Sequence, residues 1–331
     1  MPATQSNTSG TAQQDTTKKR RLGPGAITAL VTTVIALMLL VFITPAINSG
    51  ANNLPLAVSA PEPVKAALTE KIEEGGAFEV VDADSPEDAT AKVENRETVG
   101  AITATPTGTT ITIASGAGAP YAAALKGMAT QLEASGQNVT VNDVAPMTPE
   151  DPQGVGLNSA LLPLIFGGMA SAVLLATQLT SATKRTVGAV GVAVFGGLIA
   201  AAILQPWFHA VEGNFWLLWT GLTLGILAIS TTILGLHSLM GFAGVGIGAV
   251  LMMFVSNPLS GFVSGPQWLP DGWGTFGQLM PVGASGTFLR SAAYFDGNGL
   301  GGSTWVLLAW IAVGLILVAI GSRRTRASHS L

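Results

Sequence analysis

The chain has 331 residues, with 15 Lys and Arg against 19 Asp and Glu, a formal net charge of −4. Charged residues are 10% and apolar residues 48% of it, against about 25% charged in an ordinary soluble domain, so most of its surface faces something other than water. A negative net charge with no basic stripe excludes nucleic-acid binding, and the absence of cysteine excludes disulfides, thiolate metal sites, iron–sulfur clusters and cysteine nucleophiles.

Residues 1–21 are rich in Thr, Gln and Ser and read as a disordered cytoplasmic tail ending in Lys18-Lys19-Arg20-Arg21. Leu22–Ile47 then runs without a charge, and about 20 helical residues cross a bilayer core. A basic cluster before an apolar run also describes a secretory signal, with Thr44-Pro45-Ala46 near a cleavage point. That h-region is only ~7–15 residues long, so a retained first span over 22–47 is the expectation.

Residues 49–157 differ in kind, with fifteen acidic and five basic side chains. They predict an extracytoplasmic α/β domain. Strands are expected at Leu54–Ser59, Ala77–Asp82, Val99–Thr105, Thr109–Ala114 and Val139–Val144, the middle pair forming a hairpin around Pro106-Thr107-Gly108. Helices are expected at Pro63–Gly75, after Ser85-Pro86-Glu87-Asp88, and at Tyr121–Ala134. The acids alternate with apolar residues and form no D-x-D-x-D-G loop, so a solvated surface is the reading and not a cation site. Asn138-Val139-Thr140 is a glycosylation sequon by pattern. Pro146–Gly156 links the domain to the remaining apolar runs.

Those runs are Asn158–Thr180, Thr186–Leu204, Phe215–Leu236, Gly241–Val255 and Ser303–Ser322. Between 158 and 322 the charges are Lys184, Arg185, Glu212, Asp271, Arg290 and Asp296, all expected between spans. The fold class is therefore an α-helical polytopic membrane protein of six spans, with a five-helix membrane domain over 158–322 and a tail at 323–331. With both termini in the cytoplasm, nine of the fifteen basic residues fall inside, including Lys184, Arg185, Arg323, Arg324 and Arg326. Trp207, Trp216, Trp268, Trp273 and Trp305 fall near the outer boundary. Gly221–Gly225 and Gly244–Gly248 are small-residue pairs that let helices pack closely and could serve a dimer face. Segment 257–302 is too apolar for a solvated loop and too broken by Pro and Gly for a span. It predicts two amphipathic helices, Asp271–Leu279 and Ala284–Tyr294, in the outer interface or dipping part-way into the membrane.

Chemistry is sparse. There is no P-loop, no G-x-S-x-G and no H-E-x-x-H. His209, His237 and His329 are isolated, His209 with Glu212 reading as a polar interfacial turn, and Gln178 and Gln205 are polar groups near span ends. No catalytic residue, metal site or cofactor is assigned, and the chain is read as a non-enzyme.

The order of parts resembles the permease subunit of type-2 ABC exporters, in particular the actinobacterial YhgE/Pip-like membrane proteins. The resemblance rests on Asn53-Leu54-Pro55-Leu56-Ala57-Val58, Asp143-Val144-Ala145-Pro146, Asp151-Pro152-Gln153-Gly154, Asn257-Pro258-Leu259-Ser260-Gly261, Leu279-Met280-Pro281-Val282-Gly283-Ala284 and Leu289-Arg290-Ser291-Ala292-Ala293-Tyr294-Phe295-Asp296-Gly297. It implies a homodimer in the plasma (cytoplasmic) membrane, moving a lipid or amphipathic substrate. A separate cytoplasmic ATPase would dock near Lys184 and Arg185. An outer gate or re-entrant segment would contain Asn257, Pro258, Trp268, Trp273, Pro281 and Arg290. The cytoplasmic connection is short for that family, and the amphipathic helix expected before the first span is poor. The alternative is a YhgE/Pip-like envelope scaffold, assembly factor or surface receptor without transport activity.

Overall fold

A computed structural model describes residues 23–328. The expectations for residues 1–22, including Lys18–Arg21, for His329 and for the side chain of Arg326 lie outside the described residues. Helix α1, Pro24–Asn48, is 25 residues long with a mean hydropathy of 2.7.

The domain that follows is built on a five-stranded mixed sheet. Its strands are β1 Leu54–Ser59, β2 Phe78–Asp82, β3 Gly100–Thr105, β4 Gly108–Ile113 and β5 Val139–Asp143, in the order β2-β1-β3-β4-β5. Only β3 and β4 pair antiparallel, as the Pro-Thr-Gly turn demands; the other pairs are parallel. Each parallel step needs a crossover, supplied by α2 (Val64–Glu74), α3 (Pro86–Glu94) and α4 (Ala119–Ala134). The start of α3 follows its local chemistry: Ser85 Oγ accepts from Asp88 N at 3.1 Å and Pro86 occupies the first turn. Leu54, Leu56, Val58, Ile102, Ile111, Ile113, Tyr121 and Leu125 form the core on one face.

Beyond the domain lie α5 (Val155–Gln178), α6 (Ala182–Ala202, continued by a wider turn over Ile203–Trp207), α7 (Phe215–Met240) and α8 (Phe242–Val250, continued by a wider turn over Leu251–Ser256). They are followed by α9 (Trp273–Gln278), α10 (Pro281–Tyr294) and α11 (Leu300–Ser328). Five helices, α1, α5, α6, α7 and α11, are long and apolar enough to cross a membrane, consistent with a polytopic helical membrane protein. The fifth run, Gly241–Val255, short and Gly-rich in sequence, forms the helix Phe242–Ser256, which spans about 22 Å at ~1.5 Å per residue, against a hydrocarbon core of about 30 Å. Helices α6 and α11 run past their apolar stretches to include Lys184, Arg185, Arg323 and Arg324, because intrahelical hydrogen bonds do not stop where the polar zone begins.

Helix α7 is the axis of the bundle, packed by α5, α6, α8, α10 and α11. Its buried Thr231 and Thr232 hydroxyls donate to the Leu227 and Ala228 carbonyls at 2.7 Å, so they need no outside partner. Glycines set its closest contacts: a methyl at Gly235 would come 2.7 Å from the Gly314 carbonyl oxygen of α11, and one at Gly225 would come 2.6 Å from Ser285 Oγ of α10.

The largest departure from the sequence reading is α10. The sequence predicts an amphipathic helix over Ala284–Tyr294, in the outer interface or dipping part-way into the membrane; the helix starts at Pro281, and every residue from Pro281 to Ala293 except Thr287 is buried, so it presents no amphipathic face. Its first turn lies beside the middle of α7, where Ala284 packs with Ala228, and Val282 N donates to Ser256 Oγ at 3.0 Å. Its last turn reaches the domain and the α6–α7 loop, where the Ala292 carbonyl abuts Gly213. Phe242–Ser256 and α10 thus cover in two pieces the height that α7 covers in one. The small residues of α10 read as a polar face in sequence; they are small because neighbouring backbones press on every side. Among its polar side chains, Ser285 Oγ donates to Pro281 O at 2.7 Å within the helix, whereas Thr287 Oγ1 donates to Gln278 Oε1 and the Tyr294 hydroxyl is buried without a partner.

The cysteine-free chain makes side assignment a clean measurement. Thr107, at the β3–β4 turn, and Thr183, in the first turn of α6, are both exposed. With the domain outside, Thr107→Cys is labelled by a membrane-impermeant maleimide in intact cells and Thr183→Cys only after permeabilisation. The reverse pattern would overturn that orientation.

Candidate functional site

The strongest concentration of buried polar chemistry lies where the α/β domain meets the helix ends of the bundle. The loop over 257–272 reaches into the domain: Tyr121 OH donates to Gln267 Oε1 at 2.8 Å and accepts from Gln267 N at 3.0 Å, and the Trp268 ring meets Tyr121 edge-on at 5.9 Å. Burial pushes the Tyr121 hydroxyl well above its ordinary range, so it stays protonated. The Trp268 carbonyl accepts from Gly50 N at 3.0 Å, and Asn52 Nδ2 donates to Asp271 Oδ1 at 3.0 Å.

Two arginines occupy this junction. Arg290, on α10, is 4% exposed. Its Nη1 donates to Gly116 O of the domain at 2.8 Å, and its Nη2 donates to Asn158 Oδ1 at the start of α5 at 3.0 Å and to Phe262 O in the loop. One fork therefore joins the domain, α5 and the 257–272 loop, and Nε is buried without a partner. Arg96 comes from the domain. It follows α3 at φ +63, a left-handed position where helices ordinarily place glycine. Its Nη1 donates to Thr287 O at 2.9 Å and to Ser291 Oγ at 2.6 Å, both on α10, and its guanidinium lies 5.0 Å over the Phe295 ring. Burial, with the like charge of Arg290 adding to it, pushes Arg96 down to about 10, so it stays charged at neutral pH. The ion pairs among the described residues are Lys65–Asp82, Lys92–Asp88 and Lys92–Glu97; neither arginine has a carboxylate partner.

Arg96 lines a cavity of about 240 Å³, with Thr98, Tyr121, Gln267, Gln278 and Thr287 around it. Thr98 is 5% exposed and its hydroxyl has no hydrogen-bond partner. A second cleft of about 450 Å³ shares the wall formed by Pro266, Gln267, Gln278, Thr287 and Gly299 and continues past Leu279 to Gly302, Ser303 and Val306 in the first turns of α11. A family-model scan and searches of curated proteins and solved structures match nothing to this chain. The site is therefore read from its own geometry.

Of the residues expected in the outer segment, Arg290 and Trp268 stand at the junction itself. Pro281 opens α10, buried, and Trp273 opens α9 against the pocket of Phe254 and Leu259. Asn257 and Pro258 are half-buried after the short helix, the Asn257 carbonyl accepting from Ser260 Oγ at 2.7 Å. Gly221 and Gly225 face Phe288 and Ser285 of α10, and Gly244 and Gly248 face Leu236 and Ile233 of α7, so both pairs pack within one chain. At the opposite end, Lys184 is exposed, whereas Arg185 turns back: Nε donates to Leu179 O at 2.7 Å and Nη2 to Ala176 O at 3.0 Å, closing the end of α5. His209 and Glu212 are exposed on the α6–α7 loop, and Gln205 Nε2 donates to Gly213 O at 2.9 Å. Asp143 and Asp151 serve local structure. Asp143 accepts from Ser115 Oγ at 2.6 Å, and Asp151 accepts from Val155 N and Gly156 N at 2.8 and 2.7 Å, capping α5.

Arg96, Thr98 and Tyr121 escaped the sequence reading. In sequence, Glu94-Asn95-Arg96-Glu97 is an ordinary charged helix end. The available signal was an arginine where a glycine would end the helix without strain.

Proposed function

We propose that this chain is the permease subunit of an ABC-type exporter for a lipid or amphipathic molecule, with the energy supplied by a separate cytoplasmic ATPase. In this reading it sits in the plasma membrane as a homodimer, crosses six times, keeps both termini in the cytoplasm and holds the α/β domain outside. Its sixth crossing is the short helix over 242–256 together with the buried α10. The observation that carries the reading is the junction of the domain with α10 and α11: a polar, positively charged cavity continuing into a cleft beside a candidate span. A non-spanning helix buried in protein is also what a movable outer element requires, since its backbone is shielded from lipid whichever way it shifts.

The cytoplasmic side supplies the test. Lys184 is exposed and in no ion pair among the described residues, so Lys184→Glu reverses a charge without disturbing the helix end that Arg185 closes. If an ATPase docks there, the substitution returns ATP hydrolysis by the co-purified complex to its unstimulated rate while the permease still folds. Hydrolysis unchanged by Lys184→Glu, or the lack of any co-purifying ATPase, favours the second reading, a scaffold or receptor working through its α/β domain. One observation speaks for that second reading: only Leu179–Ser181 separate α5 from α6, which leaves no helix there for an ATPase to push.

A further inference from the structure

We propose that the cavity at Arg96 binds the anionic head group, phosphate or carboxylate, of an amphipathic molecule whose apolar chain lies in the adjoining cleft beside α11. This deepens the proposed function by naming the substrate class at that junction; it rests on that reading for transport, while binding is measured separately.

Four observations converge. Arg96 uses one terminal nitrogen on α10, and its Nε and Nη2 have no protein partner among the described residues. Thr98 lines the same cavity, and its buried hydroxyl has no hydrogen-bond partner. A buried polar group without a partner is costly, and a ligand oxygen removes that cost. No carboxylate answers Arg96 or Arg290, so two like charges share a low-dielectric junction that an anion would stabilise. Finally, Arg96 holds a left-handed backbone conformation that glycine would adopt freely, and strain of this sort concentrates at ligand sites. Gly299, itself at φ +77, leaves the space the side chain needs; a methyl there would come 3.2 Å from Arg96 Cδ.

The chain's place follows from the wall the two spaces share. Past Gln278 and Thr287 the cleft is bounded by Leu279, Gly302 and Val306, and Leu279 is 58% exposed. Gly302 and Val306 lie in a helix apolar enough to span the membrane. A head group at Arg96 thus leaves its chain directed along α11 and not into the domain. A guanidinium fork suits the paired oxygens of phosphate or carboxylate.

The test uses the full-length protein in non-ionic detergent micelles, with bound lipid counted by native mass spectrometry. Dioleoylphosphatidylglycerol is expected to remain bound in preference to dioleoylphosphatidylcholine. Arg96→Gln should weaken the anionic adduct about tenfold or more, and Thr98→Val about two- to tenfold. Thr98→Val removes an unpartnered buried hydroxyl, so the lipid-free protein should melt no lower than wild type; a purely structural role for Thr98 would leave binding unchanged. Val306→Trp, which fills the chain cleft and leaves Arg96 alone, should weaken the adduct as well. Wild-type retention of phosphatidylglycerol by a folded Arg96→Gln protein would overturn the proposal. So would displacement of the lipid by equimolar inorganic phosphate, which would mark the cavity as a small-anion site. Lipid binding that survives while ATPase coupling at Lys184 fails would remove the exporter reading and leave this site standing.

Discussion

Arg290→Met should loosen the α/β domain from the bundle without unfolding either. The substitution fits the volume but leaves the Gly116 and Phe262 carbonyls, both buried, without their donor. Each such group costs about 1–3 kcal/mol. Against this stands relief from burying an unpaired guanidinium. Arg290→Lys decides which term dominates. It keeps the charge buried, but an ammonium cannot reach the three elements that the planar fork joins. If donor geometry governs, Lys is as damaging as Met; if charge governs, Lys restores the wild type. Geometry is expected to win, because the fork's acceptors sit on three separate segments and nothing acidic answers the charge. The readout is the apparent Tm in detergent, with limited proteolysis in the 257–272 loop. Wild-type melting and an unchanged cleavage pattern in both variants would sink the idea that Arg290 fastens the domain.

Gly314→Ala should cost about 1–3 kcal/mol of stability, although alanine is the better helix former. A methyl there would come 2.5 Å from the Thr231 carbonyl carbon and 2.7 Å from its oxygen. Those atoms are backbone of α7, so the helices must separate instead of a side chain turning. Gly301 lies in the same helix with nothing within 4 Å of the added methyl, and Gly301→Ala should be neutral or stabilise by up to about 1 kcal/mol. Gly225→Ala falls between them, because the atom it meets is the Ser285 hydroxyl, a side chain able to rotate. The three are compared by thermal melting of the folded fraction in one detergent. Equal effects at 314 and 301 would show that α11 does not press on α7 as closely as described.

The domain was legible in sequence almost element by element, because its signals are local. Ser85-Pro86 sets the start of α3 through one hydroxyl and one fixed φ, and alternation across Gly108 sets a hairpin. What local pattern could not show was the parallel pairing of β1 with β2 and β3 and of β4 with β5, since strand direction depends on the path of the intervening helices.

Composition and apolar run length alone were enough to identify a membrane protein: few charges, long uncharged stretches, and basic residues gathered at their ends all follow from the cost of placing charge in hydrocarbon. The tertiary structure decided the character of α10 and the partners of the arginines. A helix of Gly, Ala and Ser looks half-polar as a string, and becomes core only when α7 and α11 close around it. Arg96 and Arg290 are 194 positions apart and meet only because the sheet and the bundle share one wall, so their chemistry is a property of packing, which no local pattern records.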